Sequence, residues 1–176
     1  MERNLAAIST ALAQSLKDRA CRIVFAESCT AGLVSSTMAQ IPGISEFLCG
    51  SAVAYRIDTK HRWLKVPHDI LINPGPVSAE VAAAMCAGVL AQTPEADWSA
   101  AVTGHLGPNA PAGADGLIFI GIARRDENAS DGMEIATQQH WLGDPPGDST
   151  SSLRHRRQLF AAQLVLEALH QAIQRR

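Results

Sequence analysis

Hydrophobic and polar positions alternate along this chain in two rhythms. Leu5, Ile8, Leu12 and Leu16 recur every three or four residues, which predicts an amphipathic helix over residues 4–18. Arg22-Ile23-Val24-Phe25 is a short apolar run of β-branched and aromatic residues and predicts a buried strand. Leu33, Val34, Thr37 and Met38 return to helical spacing, and Ile41-Pro42-Gly43 stops that helix. A second buried strand is expected from Phe47 to Ala54, then a polar helix from Tyr55 to Lys65 with Trp63 and Leu64 facing inward, then a loop from Pro67 to Pro76. Ser78 reads as the cap of a helix from Ala79 to about Ala91. Further strands are predicted at Trp98–Val102, Leu117–Ala123 and, as an edge strand with weak alternation, Met133–Trp141. Leu153 to about Gln174 is the closing helix.

Helices alternating with buried strands predict an α/β fold. The expectation is one layered domain over residues 1–176, with a mixed sheet of about five strands and helices on both faces. A length of 176 residues suits one well-buried domain. Composition changes this little: 47% hydrophobic and 18% charged residues are ordinary for a globular chain. A net charge of -2 without a basic cluster speaks against nucleic acid as partner. No apolar run has membrane-spanning length and the N-terminus has no signal-like apolar stretch, so no membrane partner is expected. Cys21, Cys49 and Cys86 lie among apolar neighbours and read as reduced core residues of a cytoplasmic protein. The cysteines, histidines and loop acids Asp144 and Asp148 have no metal-ligand spacing, so no metal site is proposed.

Chemistry is expected where apolar strands end in turns, as in open α/β sheets. In Glu27-Ser28-Cys29-Thr30 a hydroxyl stands between strand and helix, where backbone N–H groups favour developing negative charge. Ser28 or Thr30 is there either a nucleophile or a helix cap. Cys29 is a rival thiol nucleophile, though neighbouring residues point in different directions and only one can lead. The second turn holds Tyr55, the single tyrosine, and leads to Lys60, one of three lysines against twelve arginines. A lysine in so arginine-rich a chain hints at a deprotonatable amine, with a solvated helix lysine as the other reading. In the third turn, Thr103-Gly104-His105-Leu106-Gly107, backbone N–H groups could meet a phosphate or an oxyanion, and His105 could serve a serine as base.

Ala26-Glu27-Ser28-Cys29-Thr30-Ala31-Gly32 resembles the AESCTGG motif of the CinA C-terminal domain family, the nicotinamide-nucleotide amidohydrolases. Ala52 to Tyr55 through Lys60-His61 resembles that family's strand-Tyr-x4-Lys segment. Gly75 to Met85 is similar to its GAVSxEVAxxMA helix start, and Thr103-Gly104 with Gly107-Pro108 to its [ST]GIAGP turn. The resemblance implies Ser28 as nucleophile, Lys60 as base and Tyr55 as its assistant. It also implies an oxyanion held by N–H groups at the start of the following helix and a homodimer. The implied reaction converts nicotinamide mononucleotide to nicotinic acid mononucleotide and ammonia, without cofactor or metal. Glu27, Cys29, Thr30, Thr103, Gly104 and His105 are the implied substrate-binding residues.

The departures are specific. Ala31 stands at a glycine position of the motif, and His105-Leu106 replaces Ile-Ala. In place of the family's GDR-x3-R, Gly147-Asp148 is followed by Ser149, and arginines come later, at 154, 156 and 157. Arg154 and Arg157 are therefore the candidates for a substrate phosphate. The alternatives are a nucleotide-binding regulatory module without turnover and a Ser–Lys amidase acting on another amide.

Overall fold

The computed structural model describes residues 2–146 and 150–175. Gly147, Asp148 and Ser149, where the arginine motif is broken, lie outside the described residues. The elements in chain order are α1 (Glu2–Arg19), β1 (Ile23–Glu27), α2 (Leu33–Met38), β2 (Leu48–Val53), α3 (Ile57–Leu64), α4 (His68–Ile72), α5 (Ala79–Ala91), β3 (Trp98–Gly104), β4 (Leu117–Arg125), β5 (Met133–Trp141) and α6 (Leu153–Gln174). The strands form one sheet in the order β2-β1-β3-β4-β5. β1 pairs in parallel with β2 and β3, and the later pairs β3–β4 and β4–β5 are antiparallel. This is a single α/β domain with helices on both faces of a mixed sheet.

β1 has no polar face because both its faces are covered. Phe25 packs with Leu12, Leu16, Val102 and Leu166 on the side of α1, α2 and α6. Val24 and Ala26 pack with Val81, Met85 and Val89 on the α5 side. Fully burying side chains of this size contributes about 1.5–3 kcal/mol each, which makes these two clusters the main stabilisation. α5 can lie directly on β4 because residue 121 is glycine: a Cβ there would stand 2.4 Å from the Ala82 carbonyl oxygen. Ser78 caps α5, its Oγ accepting from the Val81 N–H at 3.3 Å.

Three expectations need correction. Trp63 does not face inward but is 54% exposed, because α3 turns Lys60 and Leu64, four residues apart, to the core and places Trp63 beside that stripe. The segment expected as a loop contains α4, a short helix that starts after Pro67 and buries Leu71. Cys49 is only half-buried, unlike Cys21 and Cys86.

Candidate active site

The central strand delivers the serine. Ser28 continues the ladder beyond β1, its N–H donating to the Val102 carbonyl at 3.0 Å. Strand alternation then separates two neighbours: Glu27 points to the α2 side and Ser28 to the side of α3 and α5. The chain turns back through Ala31 (φ 53°) and Gly32 (φ 96°) into α2. Positive φ at Ala31 costs what the family's glycine avoids.

Glu27 is 1% exposed, and its two oxygens collect six donors. Oε2 accepts from Thr30 Oγ1 (2.8 Å), the Gly32 N–H (2.9 Å) and the Val34 N–H (3.0 Å). Oε1 accepts from the Ser35 N–H (2.9 Å), Ser35 Oγ (2.8 Å) and Ser51 Oγ (3.0 Å) of β2. A buried carboxylate surrounded by donors in this way is a clamp. The side chains of Glu27 and Thr30, named as substrate-binding candidates, are thus corrected to scaffold: both are buried behind the turn and hydrogen-bonded there, which leaves only the Thr30 backbone N–H available. The expected oxyanion donors change too. Gly32, Val34 and Ser35 at the start of α2 already donate to Glu27, whereas the Cys29 and Thr30 N–H groups have no partner among the described residues.

Lys60 settles the question of a solvated lysine: it is 2% exposed. Its Nζ meets Met85 Sδ at 3.2 Å and Thr103 Oγ1 at 3.3 Å, and Thr103 Oγ1 donates to the Pro76 carbonyl at 2.8 Å. Burial among neutral groups lowers the ammonium pKa to about 8, against a weaker opposing pull from Cys29. The Cys29 thiol is pushed up to about 12 by burial and stays protonated, which removes it as the nucleophile. Among the described residues, neither the Ser28 hydroxyl nor the His105 ring makes a hydrogen bond. His105 is half-buried and burial lowers its pKa, and the Ser–His pair that the sequence left open is not formed. A Cβ on residue 104 would stand 2.4 Å from Ile118 Cγ2, so only glycine lets the third turn lie this close to β4.

Ser28, Lys60, Thr103, Gly104, His105 and Arg154 all line one cavity of about 250 Å³. Cys29 lines it as well, and Tyr55 stands at its mouth, 53% exposed. The Tyr55 hydroxyl accepts from Arg154 Nη2 at 2.7 Å and makes no bond to Lys60, so its place is beside the guanidinium rather than the amine. Arg154 Nη1 donates to the Gly107 carbonyl at 2.6 Å, and no carboxylate pairs with Arg154 among the described residues. Among the described residues, no aspartate or glutamate lines the cavity.

Arg157 is the opposite case and a correction. It is 5% exposed and bound by Asp115 at 2.8 and 2.9 Å, by the Gly143 carbonyl at 2.7 Å and by the Leu106 carbonyl at 3.3 Å. Its hydrogen bond holds the Asp115 carboxyl below the usual carboxylate range. Arg157 ties the loop after β3 to α6 and does not reach the cavity. Sequence reasoning also missed Gln158, which donates to the Cys29 and Thr30 carbonyls at 3.3 and 3.2 Å and moors the serine turn to α6. Only its helical position after Arg157 could have signalled it.

The sequence profile of the CinA C-terminal domain family matches residues 5–142. The chain belongs to that family. A CinA-like protein of Geobacter metallireducens is 41% identical over 118 residues, 66% of this chain and 28% of that protein. One from Dictyoglomus thermophilum is 40% identical over 114 residues, again 28% of the relative. The chain thus spans little more than a quarter of the length of these curated relatives. The competence/damage inducible protein CihA from Agrobacterium tumefaciens has the same fold, with a TM-score of 0.84 at 24% identity over 97% of this chain and 96% of that one. So does a CinA-superfamily protein of Klebsiella pneumoniae, with a TM-score of 0.84 at 22% identity over 98% and 99%. Among the described residues no helix is long and apolar enough to cross a membrane, and no cluster of His, Cys, Asp or Glu could hold a metal ion.

Proposed function

We propose that this CinA-family domain hydrolyses the carboxamide of nicotinamide mononucleotide, giving nicotinic acid mononucleotide and ammonia. The observation that carries the reading is Lys60: a buried amine with a depressed pKa and, among the described residues, no acidic neighbour, facing the same cavity as a strand-end serine. A lysine in that state supplies the neutral base a serine needs.

Neutral Lys60 Nζ takes the Ser28 hydroxyl proton as Oγ attacks the carboxamide carbon. The oxyanion forms against the Cys29 and Thr30 N–H groups, fixed before reaction by the Glu27 clamp. The C–N bond breaks, and the proton on Lys60 passes to the departing nitrogen, which leaves as ammonia. Water then attacks the acyl-serine, again losing a proton to Lys60, and the return of that proton to Oγ frees the acid product. Arg154 at the mouth, without a carboxylate partner among the described residues, suits the phosphate of the nucleotide, with Tyr55 holding the guanidinium in place.

One observation favours a second reading. The cavity, at about 250 Å³, falls below the common range of roughly 300–1,000 Å³ for small-molecule sites, which suits a smaller anionic amide. Ammonia release from nicotinamide mononucleotide, with identification of the acid product, tests the main reading. Turnover in wild type and its loss in folded Ser28→Ala are expected. Turnover that survives in Ser28→Ala overturns the mechanism, and turnover of other anionic amides alone moves the assignment to the second reading.

A further inference from the structure

The Lys60 amine is held from two sides, and neither partner is charged. Its Nζ meets Met85 Sδ at 3.2 Å and Thr103 Oγ1 at 3.3 Å and, among the described residues, no third partner. Chemistry fixes the direction of both contacts. A carbonyl oxygen only accepts, so the single Thr103 hydroxyl proton goes to the Pro76 carbonyl, 2.8 Å away, and Oγ1 must accept from Lys60. A thioether sulfur carries no proton and accepts as well. Met85 is fully buried behind the cavity, held there by the seating of α5. Val81, Met85 and Val89 recur at four-residue spacing on the face of α5 turned to the sheet. Gly121 lets that helix come close, since a Cβ there would stand 2.4 Å from the Ala82 carbonyl oxygen and 3.0 Å from Cys86 Sγ. Pro76, just before the same helix, anchors Thr103, so the position of α5 sets both holders of the amine.

We propose that Met85 is a positioning residue for the reaction: its Sδ and Thr103 Oγ1 take both N–H groups of neutral Lys60, so that the lone pair can face only the cavity and the Ser28 hydroxyl. This rests on Lys60 acting as the base of Ser28. A neutral amine has two N–H groups and one lone pair, and with both N–H groups held the lone pair takes the one tetrahedral direction left. The thioether suits the task where other side chains would fail. Leucine fills similar space but accepts no hydrogen bond, leaving the amine free to turn about Cε–Nζ. A carboxylate or amide oxygen accepts strongly, favours ammonium over amine and so fills the lone pair with a proton. Sulfur is a weak, polarizable acceptor that orients an N–H in an apolar slot at little gain to the charged form. The same arrangement serves the return of the proton. On the ammonium the third N–H occupies the former lone-pair direction, aimed at the nitrogen that must receive it.

Lys60 is one of three lysines, so its side-chain signals can be followed singly by NMR in a lysine-labelled chain. Met85→Leu should lower the Lys60 titration midpoint, because the ammonium loses an acceptor while the slot stays filled. Turnover is then compared at about pH 9.5, where the amine is neutral in both proteins, so protonation cannot account for a difference. Cys29, the titratable neighbour of Lys60, has its thiol pushed up to about 12 and keeps its proton there. At that pH the kcat of Met85→Leu should fall about tenfold or more, with KM for nicotinamide mononucleotide held within about twofold. Selenomethionine in place of methionine keeps an acceptor of similar size and should leave both kcat and midpoint near wild type. A residue that only fills the core would move neither the midpoint nor the balance between kcat and KM. An unchanged midpoint, or an unchanged kcat at about pH 9.5, overturns the proposal. The titration needs no substrate. Should the wild type leave the nucleotide intact, the reading of function fails, while a lowered or unchanged midpoint still decides whether Met85 holds Lys60.

Discussion

The cavity wall that carries Ser28 is held by one buried carboxylate, whereas the opposite wall is held by guanidinium groups gripping backbone carbonyls. In the first wall Glu27 collects donors three to eight residues ahead, with a single contact across the sheet to Ser51. In the second, Arg154 and Arg157 reach 47 and 51 residues back along the chain, to Gly107 and Leu106. A turn closed by its own neighbours keeps its geometry with little help from the rest of the fold. A loop tied down from another helix depends on how that helix is docked. The chain's departures from the family motif lie mostly in the second wall, at His105-Leu106 and in the arginine segment, and in the first wall at Ala31.

The largest expected effect breaks the contrast at its centre. Lys60→Met should abolish turnover and at the same time stabilise the fold. Lys60 has a pKa of about 8 in the folded protein against an ordinary 10.5, so the unfolded chain binds more protons between those values. Wild-type stability should therefore rise with pH from about 8 to 10.5 and carry a constant penalty of about 3 kcal/mol below pH 8. The Met variant lacks that penalty. It should be more stable at pH 7, with the gap closing toward pH 10.5, as urea unfolding of both proteins at several pH values would reveal. Equal pH dependence of the two proteins would refute a neutral, buried Lys60. By the same sign, turnover in wild type should climb as pH rises toward and through about 8.

Glu27→Gln tests the clamp. The amide replaces an oxygen that accepts three hydrogen bonds with a donor group, so donors face donors inside a buried turn. A loss of about 3 kcal/mol and a sharp fall in kcat are expected, read by thermal unfolding and by turnover on the surviving folded fraction. A stable, active Glu27→Gln protein would mean that the turn holds itself.

The two arginines sharpen the difference within the second wall. Arg154→Ala should raise KM for the nucleotide about 10- to 100-fold with kcat changed only a few-fold, because a phosphate contact is shared by ground and transition states. Arg157→Ala should instead cost about 2 kcal/mol of stability, since it strands the Leu106 and Gly143 carbonyls. Steady-state kinetics and unfolding on the same two variants separate the roles. Equal effects of both on KM would contradict the assignment.

The smallest effect is expected at Ala31. Its φ of 53° is one that glycine adopts without a Cβ penalty, and the side chain is exposed. Ala31→Gly should add about 1 kcal/mol to stability, less the extra entropy of the unfolded glycine, with activity preserved. A lower melting temperature would show that the turn does not strain alanine.

What the sequence determined by itself is what local rules encode. Helical spacing in residues 4–18 and 79–91 and apolar runs at 23–25, 98–102 and 117–123 place the elements. Their alternation fixes the α/β class, and the family motifs mark Ser28 and Lys60. Periodicity could not say that Lys60 rather than Trp63 shares the inward face of α3 with Leu64. That depends on Met85 and Thr103, which come from later elements and leave a neutral slot for one amine. Nor could spacing divide Arg154 from Arg157. They sit three residues apart on one helix, yet Asp115 and two carbonyls claim one while the other faces the cavity mouth. Glu27 looked like part of the binding surface because its motif is continuous with Ser28. Strand alternation, set only once β1 lies between β2 and β3, turned it to the other side of the sheet. Side-chain direction and the fate of each charge are settled by partners distant in sequence, and those partners meet only when the sheet and its two helical layers are assembled.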